Sequence, residues 1–192
     1  MRIRSFVLAA IALSCAARAA FGTVVKPLEL DEMIQLSDFI ADVTVLKSES
    51  FKADPIVPTK IKTRVYFQVN QTIKGSPSAT FHLDFPGGTV GQITRGVEGI
   101  PKFQTGQRLI VFGRNDPHAF SPLVGMEQGA LQVIHDDQSN VDRVYRWWGQ
   151  PVNESEAFSS KKPVSAQTEA DYLRSAEAVQ AFTQRVSKKI NQ

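Results

Sequence analysis

Ile61-Lys-Thr63-Arg-Val65-Tyr-Phe67-Gln-Val69 alternates apolar and polar residues, and Ala79-Thr-Phe81-His-Leu83-Asp-Phe85 repeats the pattern before stopping at Pro86-Gly87-Gly88. Successive side chains of a strand point to opposite faces, so each segment buries one face and wets the other. The stretch continues in this style to Ile134 and predicts a half-buried antiparallel sheet. Phe67, Val69, Phe81, Leu83, Leu109, Val111 and Leu131 hold the apolar phase and are the expected core.

Working outward, Leu28 to Leu36 sets Leu30, Met33 and Ile34 on one helical face, with Asp31 and Glu32 in the first turn. Phe39 to Val45 shifts to period two and should open the sheet. Glu49 to Thr59, with Pro55 and Pro58, reads as a loop, and Lys74-Gly75-Ser76-Pro77 as a turn. Gly87, Gly88, Gly91, Gly96 and Gly99 mark a loose hairpin or an exposed loop. Gln107-Arg-Leu-Ile-Val-Phe112 is dense in β-formers and reads as a central strand. Phe120–Val124 and Ala130–Ile134 complete the sheet, and Val144–Trp148 reads as a last strand. Adjacent strand residues face opposite ways, so one of Trp147 and Trp148 should belong to the core.

Beyond a β domain at 20–150 and a polar linker at 151–166, residues 167–190 predict an amphipathic helix. Thr168 and Asp171 form a capping-box variant. Leu173, Ala176, Val179, Phe182 and Val186 mark one face, while Lys188 and Lys189 suit the C-terminal end of the dipole. Such a face either docks on the sheet or meets a partner.

Residues 1–19 carry the marks of an export signal. Arg2 and Arg4 precede the apolar run Phe6–Leu13, and Ala17-Arg18-Ala19 supplies small residues at the cleavage positions. The run is shorter than the roughly 20 apolar residues of a membrane span, so stable membrane insertion is not expected. An exported protein in a periplasm or outside the cell follows. Lipidation at Cys15 is the competing reading, and Ala12, where a lipobox usually has Leu, argues against it. The three arginines of the signal account for the whole excess of Lys and Arg (22) over Asp and Glu (19). The mature chain is formally neutral, which speaks against a nucleic-acid partner. Cys15 is the only cysteine, so the mature chain has no disulfide framework and must rely on its core.

The order strand, Lys74-Gly75, strand, Pro86-Gly87-Gly88, then Gly106-Gln-Arg-Leu109-Ile-Val-Phe112 resembles the netrin-type module of the tissue inhibitors of metalloproteinases. It is more similar to a group of uncharacterised secreted bacterial proteins of that type, which also share the Ser37-Asp38 step after a helix. The resemblance spans roughly Leu28 to Ile134. It implies an OB-like antiparallel β-barrel with a short N-terminal helix, extended here by the C-terminal helix. The animal inhibitors chelate the protease zinc through an N-terminal cysteine, which this mature chain lacks.

No catalytic constellation is evident. His82, His118 and His135 lack metal-ligand spacing. His82 and Asp84 share a strand face, which a solvent-facing pair also explains. Asp136, Asp137 and Asp142 lack the glycine and terminal glutamate of a calcium loop. There is no nucleophile elbow, and no cofactor or metal is expected. The expected function is therefore a secreted, non-catalytic binding protein that meets a protein partner, an exported metalloprotease being one candidate. The binding surface is placed at Pro86 to Pro101, with Val97, Glu98 and Ile100 as the contact residues. A hydrolase with an unrecognised site, or OB-type ligand binding, stands as the alternative.

Overall fold

The computed structural model describes residues 26–153 and 169–192. The cleavage site, Cys15, most of the linker and Thr168 of the expected capping box lie outside the described residues. Helix α1 (Leu30–Leu36) leads into β1 (Phe39–Lys52), β2 (Ile61–Lys74) and β3 (Thr80–Pro86). A small hairpin of β4 (Gly88–Val90) and β5 (Ile93–Arg95) comes next, then β6 (Arg108–Gly113). A short 3-10 turn (Met126–Gly129) precedes β7 (Ala130–Asp136) and β8 (Val141–Arg146). Helices α2 (Glu169–Arg174) and α3 (Val179–Ile190) close the chain.

The protein is mainly β, built on a six-stranded antiparallel sheet in the order β3-β2-β1-β6-β7-β8. The two long strands β1 and β2 run together over their whole length, and three register shifts interrupt their pairing. Each shift bends the ladder and adds twist. The last of them, between Val45 and Lys47, turns Leu46 outward, where it stays 44% exposed. Among the described residues no ladder joins the outer strands β3 and β8, so the sheet is open. One ring spans its two ends: Phe103 lies 4.7 Å from Phe85 of β3 and 5.6 Å from Trp147, just after β8.

Strand alternation builds two cores, one on each face. Ile40 of β1 and Ile110 and Phe112 of β6 face the helices, where they meet Met33 and Ile34 of α1 and Phe182 and Val186 of α3. Ala41, Val43 and Val45, with Leu109 and Val111, face the other way and pack with Val65, Phe67 and Phe85. Strand β6 is buried on both sides, which is why its sequence reads as a continuous apolar run. Of the expected core, Phe67, Leu109, Val111 and Leu131 are buried. Val69, Phe81 and Leu83 are only half-buried, the last two because β3 is an edge strand.

The weak motifs of the sequence turn out to be joints. Lys74 Nζ donates to the carbonyl oxygens of Ile34 and Ser37, both at 2.6 Å, and so holds the C-terminal end of α1. Gly75 has φ +70, and a Cβ there would sit 2.5 Å from the Asp38 carbonyl oxygen. Ser37 Oγ donates to the Met33 carbonyl (2.6 Å), and Asp38 accepts the Asn115 N–H (2.7 Å).

Four local expectations are corrected. Strand β1 runs to Lys52, past the Glu49 boundary of the expected loop, because β2 supplies ladder partners to residues whose own pattern is polar. Phe120–Val124 is not a strand; only Leu123 bridges, to Gly113, and Phe120 is 64% exposed. Pro122 has no N–H to give a ladder. The last strand ends at Arg146, with Trp147 packed against the core and Trp148 at the surface. The single helix expected over 167–190 breaks into α2 and α3. At the break the Glu177 N–H donates to Val152 (2.6 Å), and its carbonyl accepts the Val144 N–H (2.9 Å). That pairing covers the open edge of β8, a stronger demand than helical continuity. Val179, Phe182 and Val186 still dock on the sheet, whereas Leu173 remains 42% exposed.

Candidate functional site

A cleft of about 390 Å³ opens between the far half of the β1–β2 ribbon and the segment from Pro86 to Phe103. One wall presents Ser48 and Ser50 of β1 with Thr63 and Val65 of β2. The opposite wall is the β4–β5 hairpin followed by Gly96, Val97, Ile100 and Pro101, and Phe85 and Phe103 form apolar floor. Arg95 and Lys102 also line the cleft. Neither cation has an ion-pair partner among the described residues.

Hydroxyls clamp the hairpin to the ribbon. Thr63 Oγ1 donates to the Gly87 carbonyl oxygen (2.8 Å), and Ser50 Oγ lies 2.9 Å from Thr63 Oγ1. The hydrogen of Thr63 is thus committed, so Ser50 is the donor of that pair, and its oxygen accepts the Thr89 N–H (3.2 Å). Gly88 carries the chain through this clamp at φ +130, where a Cβ would fall 2.3 Å from Thr63 Oγ1 and 2.4 Å from Ser50 Oγ. Both the backbone region and the space therefore demand glycine. Gly88→Ala is expected to cost about 2–3 kcal/mol, the upper range for a backbone held where side chains are strained. Urea unfolding checks this, with Gly96→Ala as control, since nothing lies within 4 Å of a Cβ there and its backbone is outside the left-handed region. Equal losses in the two variants would mean that the clamp contributes nothing.

The contact residues expected from sequence divide three ways. Val97 is half-buried and lines the cleft. Ile100 also lines it but packs against the core, so it is in part structural. Glu98 is exposed and is not among the lining residues. Val90 and Ile93 pair within the hairpin. The segment is thus anchored at both ends rather than loose: the Glu127 N–H donates to the Gly99 carbonyl (3.0 Å), and Phe103 contacts Phe67 as well as Phe85. Sequence reasoning missed Ser48, Ser50 and Thr63, which reach the cleft only through strand register. Arg95 and Lys102 carried a readable signal, as cations set on the glycine-rich stretch.

On the helix-side face, a polar stripe crosses five strands. Asp42, whose carboxylate is buried, receives Arg108 Nη2 (2.7 Å) and Asn70 Nδ2 (2.9 Å). Arg108 Nη1 also reaches Asp142 (2.6 Å), which pairs with His135 Nδ1 (2.7 Å). The Asp142 carboxyl is held below the usual range by the His135 hydrogen bond, and His135 is raised by the same contact. Every carboxylate here already has a partner, so the stripe is structural. His82 and Asp84 do not form a site either: Arg64 takes Asp84 through two hydrogen bonds (2.7 and 2.9 Å), and His82 lies tilted beside Tyr66, ring centres 5.7 Å apart. Among the described residues no group of three or more His, Cys, Asp and Glu is placed to hold a metal ion, and no helix is long and apolar enough to cross a membrane.

Fold and cleft together define a β-sheet protein with a glycine-backed surface cleft. No family model, curated protein or solved structure matches this chain.

Proposed function

We propose that this chain is an exported, non-catalytic binding protein, released by cleavage after residue 19, that engages a protein partner at the rim of the cleft. An exported metalloprotease is the candidate partner that the netrin-type resemblance suggests. The observation that carries the reading is the cleft itself: two chain segments far apart in sequence are clamped around it by side chains with no other evident task. An OB-like barrel belongs to the same proposal. The meander β1-β2-β3, the placement of β6 on the other side of β1, and the Phe103 ring between the sheet ends support it.

The test replaces Val97 with Ser and Glu98 with Ala together and leaves the core-packed Ile100 alone. Wild-type protein is expected to slow a purified metalloprotease from the same envelope, measured as hydrolysis of a peptide substrate. The double variant should lose that effect by about tenfold or more, in line with the loss of one or two contacts at an interface, while its melting temperature stays unchanged. Equal inhibition by the two proteins, or turnover of a substrate by the wild type alone, overturns the reading.

A further inference from the structure

We propose that the cleft binds a small organic acid: an apolar body with one carboxylate. This rests on the reading of the cleft as a binding site, but not on the partner at its rim being a protein. At about 390 Å³ the space falls within the range of small-molecule sites, toward the lower end. Val65, Phe85, Val97, Ile100 and Phe103 give it apolar walls, which suit a hydrocarbon or aromatic body.

Its charge is one-sided. Arg95 and Lys102 both line the cleft and both lack an ion-pair partner among the described residues, although Glu98 lies between them in sequence and is exposed. Ser48 adds a hydroxyl that makes no side-chain hydrogen bond among the described residues, whereas Ser50 and Thr63 are committed to the clamp. No carboxylate lines the cleft. Two cations with no carboxylate among the lining residues, set on apolar walls, favour an anion over a neutral or cationic ligand of the same shape. The cleft also has a fixed form, since Gly88 and its clamp hold the hairpin against the ribbon, and a formed site loses less ordering entropy when it fills.

Decanoate is the probe, with decanol and decylamine as neutral and cationic counterparts of the same chain, each titrated calorimetrically into the full mature protein below its aggregation concentration. Saturable one-to-one binding of decanoate is expected, about tenfold or more tighter than decanol, as a charge-assisted hydrogen bond gives. Decylamine should not bind. Arg95→Gln with Lys102→Gln should erase the preference for decanoate and leave the decanol affinity unaltered; both side chains are exposed, so the fold is not at stake, and a thermal melt confirms it. Absence of saturable decanoate binding overturns the proposal. So does equal affinity for decanoate and decanol, or a preference that survives the double substitution. The protease assay uses no fatty acid and this titration uses no protease, so each proposal stands or falls separately.

Discussion

Truncation of Phe67 to Ala is expected to lower the free energy of unfolding by about 3–5 kcal/mol, the range for a buried aromatic whose neighbours relax only in part. Phe67 is fully buried at the centre of β2. Its ring stacks on Phe81 at 5.3 Å and meets Phe103 edge-on at 5.7 Å. The cavity left behind would open beneath Phe103, which also contacts Phe85 and Trp147, so the joint between the two ends of the sheet loosens together with the core. Thr80→Ala, one residue before Phe81 and exposed, should stay within about 0.5 kcal/mol of wild type. Urea unfolding of both variants settles the matter. Equal small losses would show that the Phe67 ring does not anchor this core.

Arg108→Gln is the second large effect. The Asp42 carboxylate side chain is 1% exposed and receives the guanidinium through Nε and Nη2, while Nη1 holds Asp142. Removing the cation leaves a buried carboxylate with only Asn70 to answer it, a change that costs about 3–5 kcal/mol in a fully buried pair. Arg108 keeps 35% of its side chain exposed, so water enters part of the gap and a loss of about 2–3 kcal/mol is expected after discounting for that screening. Asp42→Asn in the Arg108→Gln background removes the stranded charge and should restore about half of the loss. A double-mutant cycle by denaturant unfolding reads the coupling; strictly additive losses would mean that the stripe is not a network.

The legible part of this chain was local. Alternation at Ile61–Val69 and Ala79–Phe85 announced β2 and β3 because one face of each meets a core and the other meets water. The apolar density of Leu109–Phe112 announced a central strand because both faces are covered. Leu30, Met33 and Ile34 announced α1 through their helical spacing. Where the outcome depended on another segment, the local pattern misled. Glu49–Lys52 looked like the start of a loop, yet β2 supplies its ladder partners; Phe120–Val124 looked like a strand, yet Pro122 has no N–H to donate and only Leu123 bridges β6. Glu177 and Ala178 looked helical, yet the uncovered edge of β8 claims their backbone.

The candidate site was half visible for the same reason. Val97, Glu98 and Ile100 were found because glycines and apolar residues mark their stretch in one dimension. Their division into a cleft-lining, an exposed and a core-packed residue follows from how the loop is anchored, and that is a property of three dimensions. The opposite wall, Ser48, Ser50 and Thr63, was invisible: small polar residues on polar-looking strands carry no pattern, and only the β1–β2 register, shifted by the bulge at Leu46, turns them inward. By itself the sequence determined the elements whose faces differ in polarity, since burial of apolar surface acts on each segment wherever it lands. Tertiary structure alone decided strand extent, the break between α2 and α3, and which hydroxyls and cations share a cleft, because backbone hydrogen bonds must be satisfied by whichever segment is near, and sequence distance does not enter that requirement.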